Sequence, residues 1–457
     1  MKIRQILALI LVLLLCLAAG CGDSKNPSAP SENASSEVPD DSDRTYIDGT
    51  RADVTGMPEA TLEDDTVTIY CWSEYLPEYT EDWQAYRFRD YYGGKVEVIV
   101  SSGDYYENLY KLIAAGDIPD IVIGDAQSFP TLIMKGLVQP WDEYVDFSDP
   151  IWEQTGAMQD IQKMTYDGKI YNITHKAHNL GVLFYNQRLI SEAGLEEPME
   201  LQARGEWTWE KFREYLYETT ADTNGDGITD VYGLVNTGDF LTAFFASTGD
   251  LYIEYENGTY SNNIKSAKIQ DAANFIYGIG PNGDQLVDLG NATTEFLNGK
   301  AAFVYTNDYR GYIDYADLWQ TDGIGIVPLP RYSGADEQYQ ASLTDHFWLM
   351  KGAKNPKGAA LLVLAEQYDS VLNADPDAET PTEAAIMQWM GHGFTRQAAE
   401  AVVAMREMPT KILWTRNIPL PDGYVEFRAM DTPWTTLADT VSGSVDQAIK
   451  NAMQPQQ

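Results

Sequence analysis

A short loop of the sequence carries oxygen-bearing side chains at the alternating spacing of an EF-hand calcium loop. The candidate ligands are the side chains of Asp222, Asn224 and Asp226, the carbonyl of Ile228, and Asp230 directly or through water. Gly227 occupies the sharp-turn position, but Gly233 stands where a bidentate glutamate is expected. We therefore predict a structural calcium, with an Asn/Asp/Gly turn that binds no ion as the alternative. No other cofactor is predicted.

Other residue patterns argue against the common catalytic centres. His175 and His178 lack a third histidine or cysteine nearby, which favours structural or ligand-facing histidines over zinc ligands. The sequence has no nucleophile-elbow, HExxH or Walker-type motif. Carboxylate pairs are abundant, so composition does not exclude a glycosidase dyad.

Aromatic residues cluster at the ends of predicted strands. They are Trp72, Tyr75, Tyr105, Tyr106, Tyr309, Phe347, Trp348 and Trp434. Aromatic faces stack on the apolar faces of sugar rings, while nearby Asp, Asn and Glu hydrogen-bond to the hydroxyls. This pattern is typical of a pocket for a polar ligand, and ordinary core packing is the alternative for each residue.

Alternating strand-like and helix-like segments must position these residues. In the first part they are Val67–Trp72, Tyr79–Tyr92, Lys95–Val100, Tyr105–Ala115 and Asp120–Gly124. This β-α-β-α-β order predicts an α/β lobe on a mainly parallel sheet. A second group comprises Gly181–Asn186, Trp209–Thr219, Ala267–Ile279, Ala301–Thr306 and Gly323–Pro330. The C-terminal part is mostly helical in pattern, at Ala359–Tyr368, Thr382–Met390, Thr395–Met405 and Ala438–Met453.

Composition narrows the classes of function. The chain has 457 residues, with 69 Asp and Glu against 31 Lys and Arg, and a net charge of −38. Such a charge disfavours nucleic acid as a partner. The length and the 44% hydrophobic content predict two or three domains. Three cysteines cannot form a disulfide framework in so long a chain.

The pattern of the N-terminal residues is typical of a targeting segment. Lys2 and Arg4 precede the apolar run Ile6–Ala19, which is shorter than the roughly 20 residues that span a bilayer. Small residues then precede Cys21, a pattern that resembles the bacterial lipobox. We predict a signal peptide at 1–20, a lipid on Cys21 and a flexible polar tether at 21–60; ordinary secretory cleavage is the alternative.

Several phrases of the chain, in family order, resemble extracellular solute-binding proteins of the carbohydrate-uptake class, which serve ABC importers. These phrases are GDIPDIV (Gly116–Val122), KGLVQPWDEY (Lys135–Tyr144), YDGKIYNI (Tyr166–Ile173), FYNQRLISEAGL (Phe184–Leu195), WTWEKF (Trp207–Phe212), YENGTY (Tyr255–Tyr260), LNGKAAFVY (Leu297–Tyr305) and KNPKGAALLV (Lys354–Val363). Each phrase is weak alone, but their order and spacing together are specific.

The resemblance implies a two-lobed α/β fold of the periplasmic-binding-protein type (type II), with hinge crossovers and a helical C-terminal region. Lobe 1 is expected at 61–174 plus about 328–410, and lobe 2 at 175–327 plus about 411–457. The hinge crossings are expected near Ile173–His178, near Val327–Leu329 and in the C-terminal region. The implied partners are a carbohydrate ligand, the transmembrane permease subunits and the membrane through Cys21, with the protein as a monomer on the outer face of the cell membrane.

The same resemblance implies a set of ligand-binding residues. They are Trp72, Glu74, Tyr75, Asp125, Asp239, Phe240, Asp308, Tyr309 and Trp434. Gly124 stands where maltodextrin binders place an aromatic residue, which favours a sugar of different shape. The leading hypothesis is extracellular capture of an oligosaccharide for import by hinge closure, without enzymatic activity. A secreted carbohydrate-active enzyme and a surface adhesin are the alternatives.

Overall fold

The computed structural model describes residues 56–72, 86–124, 128–155, 157–174, 179–235, 238–256, 258–288, 290, 292–319, 321, 323–343, 345–372, 380–413, 418, 420 and 425–454. The predicted signal peptide, Cys21 and most of the predicted tether lie outside these residues. Within these ranges, no helix has both the length and the apolar character needed to cross a membrane.

The strands follow the predicted alternation with helices. They are β1 (Thr66–Cys71), β2 (Lys95–Val100), β3 (Ile121–Gly124), β4 (Asn172–Thr174), β5 (Asn179–Asn186), β6 (Tyr232–Val235), β7 (Ile253–Glu256), β8 (Thr259–Asn262), β9 (Val287–Asp288), β10 (Ala301–Asn307), β11 (Ile324–Val327), β12 (Gln340–Leu343), β13 (His346–Leu349) and β14 (Thr410–Ile412).

The helices have the following bounds, together with a short 3-10 helix at Trp141–Glu143. They are α1 (Tyr86–Tyr92), α2 (Tyr105–Ala115), α3 (Thr131–Met134), α4 (Ile151–Gln154), α5 (Ala157–Lys163), α6 (Gln187–Glu192), α7 (Pro198–Ala203), α8 (Trp209–Thr219), α9 (Asp239–Ala246), α10 (Ala267–Ile279), α11 (Ala292–Leu297), α12 (Arg310–Ile313), α13 (Ala316–Trp319), α14 (Pro356–Leu372), α15 (Pro381–Gly391), α16 (Arg396–Arg406), α17 (Val425–Arg428) and α18 (Trp434–Ala452).

The first sheet has the strand order β2-β1-β3-β13-β4. β1 is parallel to β2 and β3, whereas β13 is antiparallel to both of its neighbours. Ile121 and Phe347 face one apolar core, and Val122 and Trp348 face another. A sheet buried on both faces explains why Ile121–Gly124 reads as a continuous apolar run rather than an alternating one.

The second sheet is larger and mixed. Its order is β14-β12-β5-β10-β6-β9, and β11 also pairs with β5. β5 is antiparallel to β10, β11 and β12, while β6 is parallel to β10. A separate hairpin of β7 and β8 contacts the first lobe, where the ring of Tyr255 lies 4.9 Å from that of Phe129. The two predicted strand groups therefore form two sheets.

The chain passes between the sheets at short segments. β4 of the first sheet is followed by β5 of the second, as expected for a crossing near Ile173–His178, although residues 175–178 lie outside the described ranges. The crossing predicted near Val327–Leu329 is wrong, because β11 before it and β12 after it both pair with β5 of the second sheet. The return lies between Leu343 and His346. α14 and α15 flank a third connection, whose residues 373–379 are not described.

The predicted boundary of the first lobe also differs from the structure. β12 and β14 pair within the second sheet, although about 328–410 was assigned to lobe 1. Trp389 of α15 and Val402 of α16 pack in one core with Phe184 of β5. Within that range, β13 and α14 contact the first sheet. The helical pattern of α15 and α16 was predicted, but pattern alone does not say which sheet a helix covers.

The end of the predicted tether is part of the first lobe. Met57 is buried in the core with Tyr92 and Tyr368. The Tyr368 hydroxyl donates to the Gly56 carbonyl at 2.7 Å, and that of Tyr92 donates to the Pro58 carbonyl at 2.9 Å. The first lobe therefore includes Gly56–Pro58, which the prediction placed in the tether.

An ion pair holds the end of α16 against the second sheet. Arg406 Nη2 lies 2.7 Å from Oδ2 of Asp308, and the Asp308 side chain is 1% exposed. The Arg406 guanidinium also lies over the ring of Trp389, 5.2 Å from its centroid. A buried carboxylate needs a facing cation because its desolvation is otherwise uncompensated.

We expect Arg406→Met to lower the free energy of unfolding by about 3 kcal/mol, since it removes the cation that faces the buried Asp308 carboxylate. Arg396→Met is the matched control, because Arg396 begins the same helix and its ion pairs with Glu383 and Glu400 are solvent-screened. Denaturant unfolding of both variants measures the difference. Equal midpoints for the two variants would contradict this role of the ion pair.

Candidate functional site

The strands of the first sheet bring several chain segments to one edge. The paired residues show that β3 ends at Gly124 beside His346, the first residue of β13. His346 also lies opposite Thr174, the last residue of β4. Cys71 ends β1 at the same edge because β1 is parallel to β3. Loops that follow strands at such an edge commonly form ligand sites in α/β sheets.

The second sheet presents a corresponding edge. Asn307 at the end of β10 pairs with Gly181 near the start of β5, and Leu343 at the end of β12 pairs with Asn179. Leu343 is only three residues from His346, so the two edges lie close together. We call the space between these two edges the candidate cleft.

Trp72 is the described first-lobe residue of the predicted site. It directly follows β1, and 40% of its surface is exposed. Its ring lies 5.7 Å from that of Tyr105, whose hydroxyl donates to the Ile123 carbonyl. Part of the Trp72 ring is therefore accessible to a ligand, and the ring packs against Tyr105, which is itself held by a hydrogen bond. The predicted residues Glu74, Tyr75 and Asp125 lie outside the described ranges, as do His175 and His178.

Asp308 and Tyr309 follow β10 at the second edge. Asp308 Oδ1 accepts from its neighbour's backbone N–H at 2.8 Å, and Oδ2 faces Arg406. Both oxygens of this carboxylate are engaged within the protein. Asp308 therefore holds the loop that follows β10 in place. Tyr309 is partly exposed, and the Arg310 guanidinium lies 5.9 Å from its ring centroid. The structure leaves its aromatic ring available for contact.

Asp239 and Phe240 occupy different environments although they are adjacent. Both begin α9 after Gly238, a glycine with φ of 73°. Phe240 is fully buried, and its ring packs 5.2 Å from Phe244 and 6.0 Å from Tyr305. Phe240 is thus a core residue, contrary to the expectation that it contacts ligand. Asp239 is partly exposed at the start of the helix.

Trp434 is also a core residue, contrary to expectation. It is 2% exposed, and its Nε1 donates to the Ile264 carbonyl at 2.8 Å. Its ring lies 5.2 Å from that of Phe245. The apolar face of α18 packs against α10 and β8, which covers this side chain.

Phe427 is an accessible aromatic residue that the sequence did not indicate. It is 45% exposed and lies beside Gly238, because a Cβ on that glycine would be 3.0 Å from its ring. Gly238 follows β6, whose end lies at the second edge of the candidate cleft. The one-turn helix α17 has too few residues for a periodic pattern, so no local signal marks Phe427.

Tyr312, Trp389 and His392 form a polar and aromatic cluster beside Arg406, the ion-pair partner of Asp308. The rings of Tyr312 and His392 stack at 4.5 Å, and Trp389 lies 6.1 Å from Tyr312. Burial lowers the pKa of His392 below its usual value. Burial thus favours the neutral form of His392, and the Arg406 guanidinium over Trp389 is a cation beside this cluster.

The Asp222–Asp230 loop forms a network of hydrogen bonds. The Asp222 carboxylate accepts from the N–H groups of Gly225 and Gly227, both at 2.7 Å, which lowers its pKa. The Asp230 carboxylate accepts from the side chain and backbone of Thr223, which also lowers its pKa. Among described residues, no group of three or more His, Cys, Asp or Glu is arranged to hold a metal. The donor types suit calcium, but the carboxylates do not converge.

Solved structures with this fold include several binding proteins. An ABC substrate-binding protein of Listeria monocytogenes in complex with cycloalternan has a TM-score of 0.62 and 18% identity, covering 87% of this chain and 100% of its own. The maltose/maltodextrin-binding domain of Bdellovibrio bacteriovorus bound to maltotriose has a TM-score of 0.57 and 19% identity, covering 84% and 100%. UgpB of Mycobacterium tuberculosis in complex with glycerophosphocholine has a TM-score of 0.59 and 16% identity, covering 86% and 100%.

A family model, rather than an individual relative, identifies the family of this chain. No curated protein matches the chain. The model of the family described as bacterial extracellular solute-binding protein matches residues 73–366, which is more than half of the chain. The two sheets, the short crossings between them and this match agree, and the chain belongs to the bacterial extracellular solute-binding proteins.

Proposed function

We propose that this protein captures an oligosaccharide outside the cytoplasm and delivers it to the permease of an ABC importer. The observation that carries the proposal is the candidate cleft itself: two sheet edges, joined by short crossings, with the accessible ring of Trp72 on one side and those of Tyr309 and Phe427 on the other. An aromatic ring on each side suits a ligand with apolar faces and polar edges, as a sugar has.

The similar structures support a carbohydrate ligand, and one of them also identifies the main alternative ligand. Two of them hold cycloalternan and maltotriose, and a third holds glycerophosphocholine. Aromatic rings suit sugar rings and also a quaternary ammonium group, so the preference for a carbohydrate rests on the two structures that hold a sugar. The carbohydrate is therefore the better candidate.

Capture would proceed by hinge closure without covalent chemistry. The ligand first stacks on one edge of the cleft, and the second edge closes over it as the crossings bend. Binding shifts the population toward the closed form because that form makes contacts with both lobes. A permease that recognises the closed form would then receive the loaded monomer.

Trp72→Ala should weaken binding about thirtyfold, or about 2 kcal/mol, because stacking concentrates binding energy in few aromatic contacts. Tyr217→Ala is the control, since Tyr217 is an exposed aromatic residue on α8. Calorimetric titration with maltotriose, cycloalternan and glycerophosphocholine measures both effects. Binding of none of the sugars, or equal affinities of the two variants, would contradict the proposal, and release of glycan products would favour the enzymatic alternative.

We also propose that the mature protein is a lipoprotein held on the outer face of the cell membrane through Cys21. Cys21→Ser should move the protein from the membrane fraction to the soluble or secreted fraction, because the anchoring lipid is lost. Cys16→Ser is the control, since Cys16 lies within the apolar run that is expected to be cleaved. Membrane retention of the Cys21 variant would overturn the anchor.

A structural calcium in the Asp222–Asp230 loop is a separate proposal. Chelation should lower the melting temperature of the wild type, because an ion that binds only the folded state stabilises it. Asp226→Ala should melt at the same temperature with and without calcium. A wild type that does not respond to chelation would show that the loop is a turn without an ion.

A further inference from the structure

Three polar side chains line one face of the first sheet at the candidate cleft. Asn172 on β4 lies opposite Trp348 on β13, and Thr174 lies opposite His346. Alternate residues of a strand share a face, and directly opposed residues do as well. Asn172, Thr174 and Trp348 therefore share one face with the buried His346, and we call the first three residues the polar floor.

Within the part of the chain that the structure describes, the polar floor contains buried atoms that lack a hydrogen-bond partner. Asn172 Oδ1, Thr174 Oγ1 and Trp348 Nε1 are covered and make no hydrogen bond, and the three side chains are 0%, 5% and 0% exposed. The Asn172 amide nitrogen, by contrast, lies 3.2 Å from His346 Nδ1. Buried polar atoms are nearly always hydrogen-bonded, and leaving one unpaired destabilises the fold. Three such atoms on one surface indicate that something else binds there.

Gly124 allows the side chains of Ser128 and Trp348 to lie against its backbone beside this surface. A Cβ at this position would lie 2.1 Å from Ser128 Oγ and 3.3 Å from Trp348 Nε1. Gly124 is not among the residues with positive φ, so space rather than backbone conformation requires a glycine here. Gly124 ends β3 at the edge of the candidate cleft. Trp348 Nε1 therefore lies beside the end of β3 at the candidate cleft.

The polar floor also adjoins both described ends of the hinge crossings. Thr174 is the last residue of β4 before the chain leaves the first sheet, and His346 is the first residue after its return. The polar floor is thus buried and lies beside the point where the chain passes between the two sheets.

We propose that the polar floor holds a neutral hydroxyl group at one end of the bound ligand, and that it selects against charged ends. Trp348 can only donate, Asn172 Oδ1 can only accept, and the Thr174 hydroxyl can do either. A ligand hydroxyl accepts from the indole and donates to the amide oxygen. A carboxylate or phosphate could not donate to Asn172, and an ammonium group could not accept from Trp348. This inference rests on the proposed function and adds the chemistry of one subsite.

Thr174→Val tests the inference because valine keeps the shape and removes the hydroxyl. We expect an unchanged or higher melting temperature without ligand, since no protein partner is lost, and about tenfold weaker binding of the best-bound probe among maltotriose, cycloalternan and glycerophosphocholine. Thr242→Val is the matched control: Thr242 is also buried, but its hydroxyl donates to Glu426 at 2.7 Å. That variant should melt lower and bind unchanged.

The outcomes separate this inference from the proposed function. A Thr174→Val variant that melts lower, as Thr242→Val does, and binds unchanged would overturn the inference and indicate a structural water. Tighter binding of glycerophosphocholine than of the sugars, unaffected by Thr174→Val, would also overturn it. If no probe binds, the carbohydrate proposal fails, and the melting temperature of ligand-free Thr174→Val still decides whether the hydroxyl has a partner.

Discussion

The two-lobed arrangement depends on the pairing of β13 with β3 and β4. β13 follows β4 by more than 170 residues, and most of the second sheet lies between them in the chain. The first sheet is therefore incomplete until the chain returns from the second. Closing so long a loop costs entropy that the new pairing and burial must offset. Because Thr174 and His346 are paired at that point, both crossings leave the sheet side by side, and the hinge is confined to neighbouring strands.

Local patterns were sufficient to predict the strands β1 to β3 and helix α2 of the first lobe. Each strand and helix from β1 to β3 is continuous in sequence, so its periodicity reports its own environment. The return to the first sheet could not be predicted in this way. Gln340–Leu343 and His346–Leu349 are separated by two residues, a spacing that suggests a hairpin, yet they belong to different sheets. The order of strands in a sheet is set by distant partners, which a local pattern does not contain.

In the candidate site, too, some features follow from a local sequence pattern and others depend on distant residues. Trp72 and Tyr309 were predicted because each follows a strand, and a strand end is a local feature. The burial of Trp434 depends on Ile264 and Phe245, which lie about 170 and 190 residues earlier in the chain. A local sequence pattern also does not report whether a buried polar atom, such as those of the polar floor, has a hydrogen-bond partner. Sequence therefore predicts which residues reach the cleft edge better than it predicts which of them stay accessible.

The docking of Gly56–Pro58 on the first lobe has a mechanical consequence. Tyrosine hydroxyls hold the carbonyls of Gly56 and Pro58, and the buried Met57 side chain lies between them. Any force that arrives along the preceding chain is thus borne by the first lobe, and neither the crossings nor the second lobe carries the load.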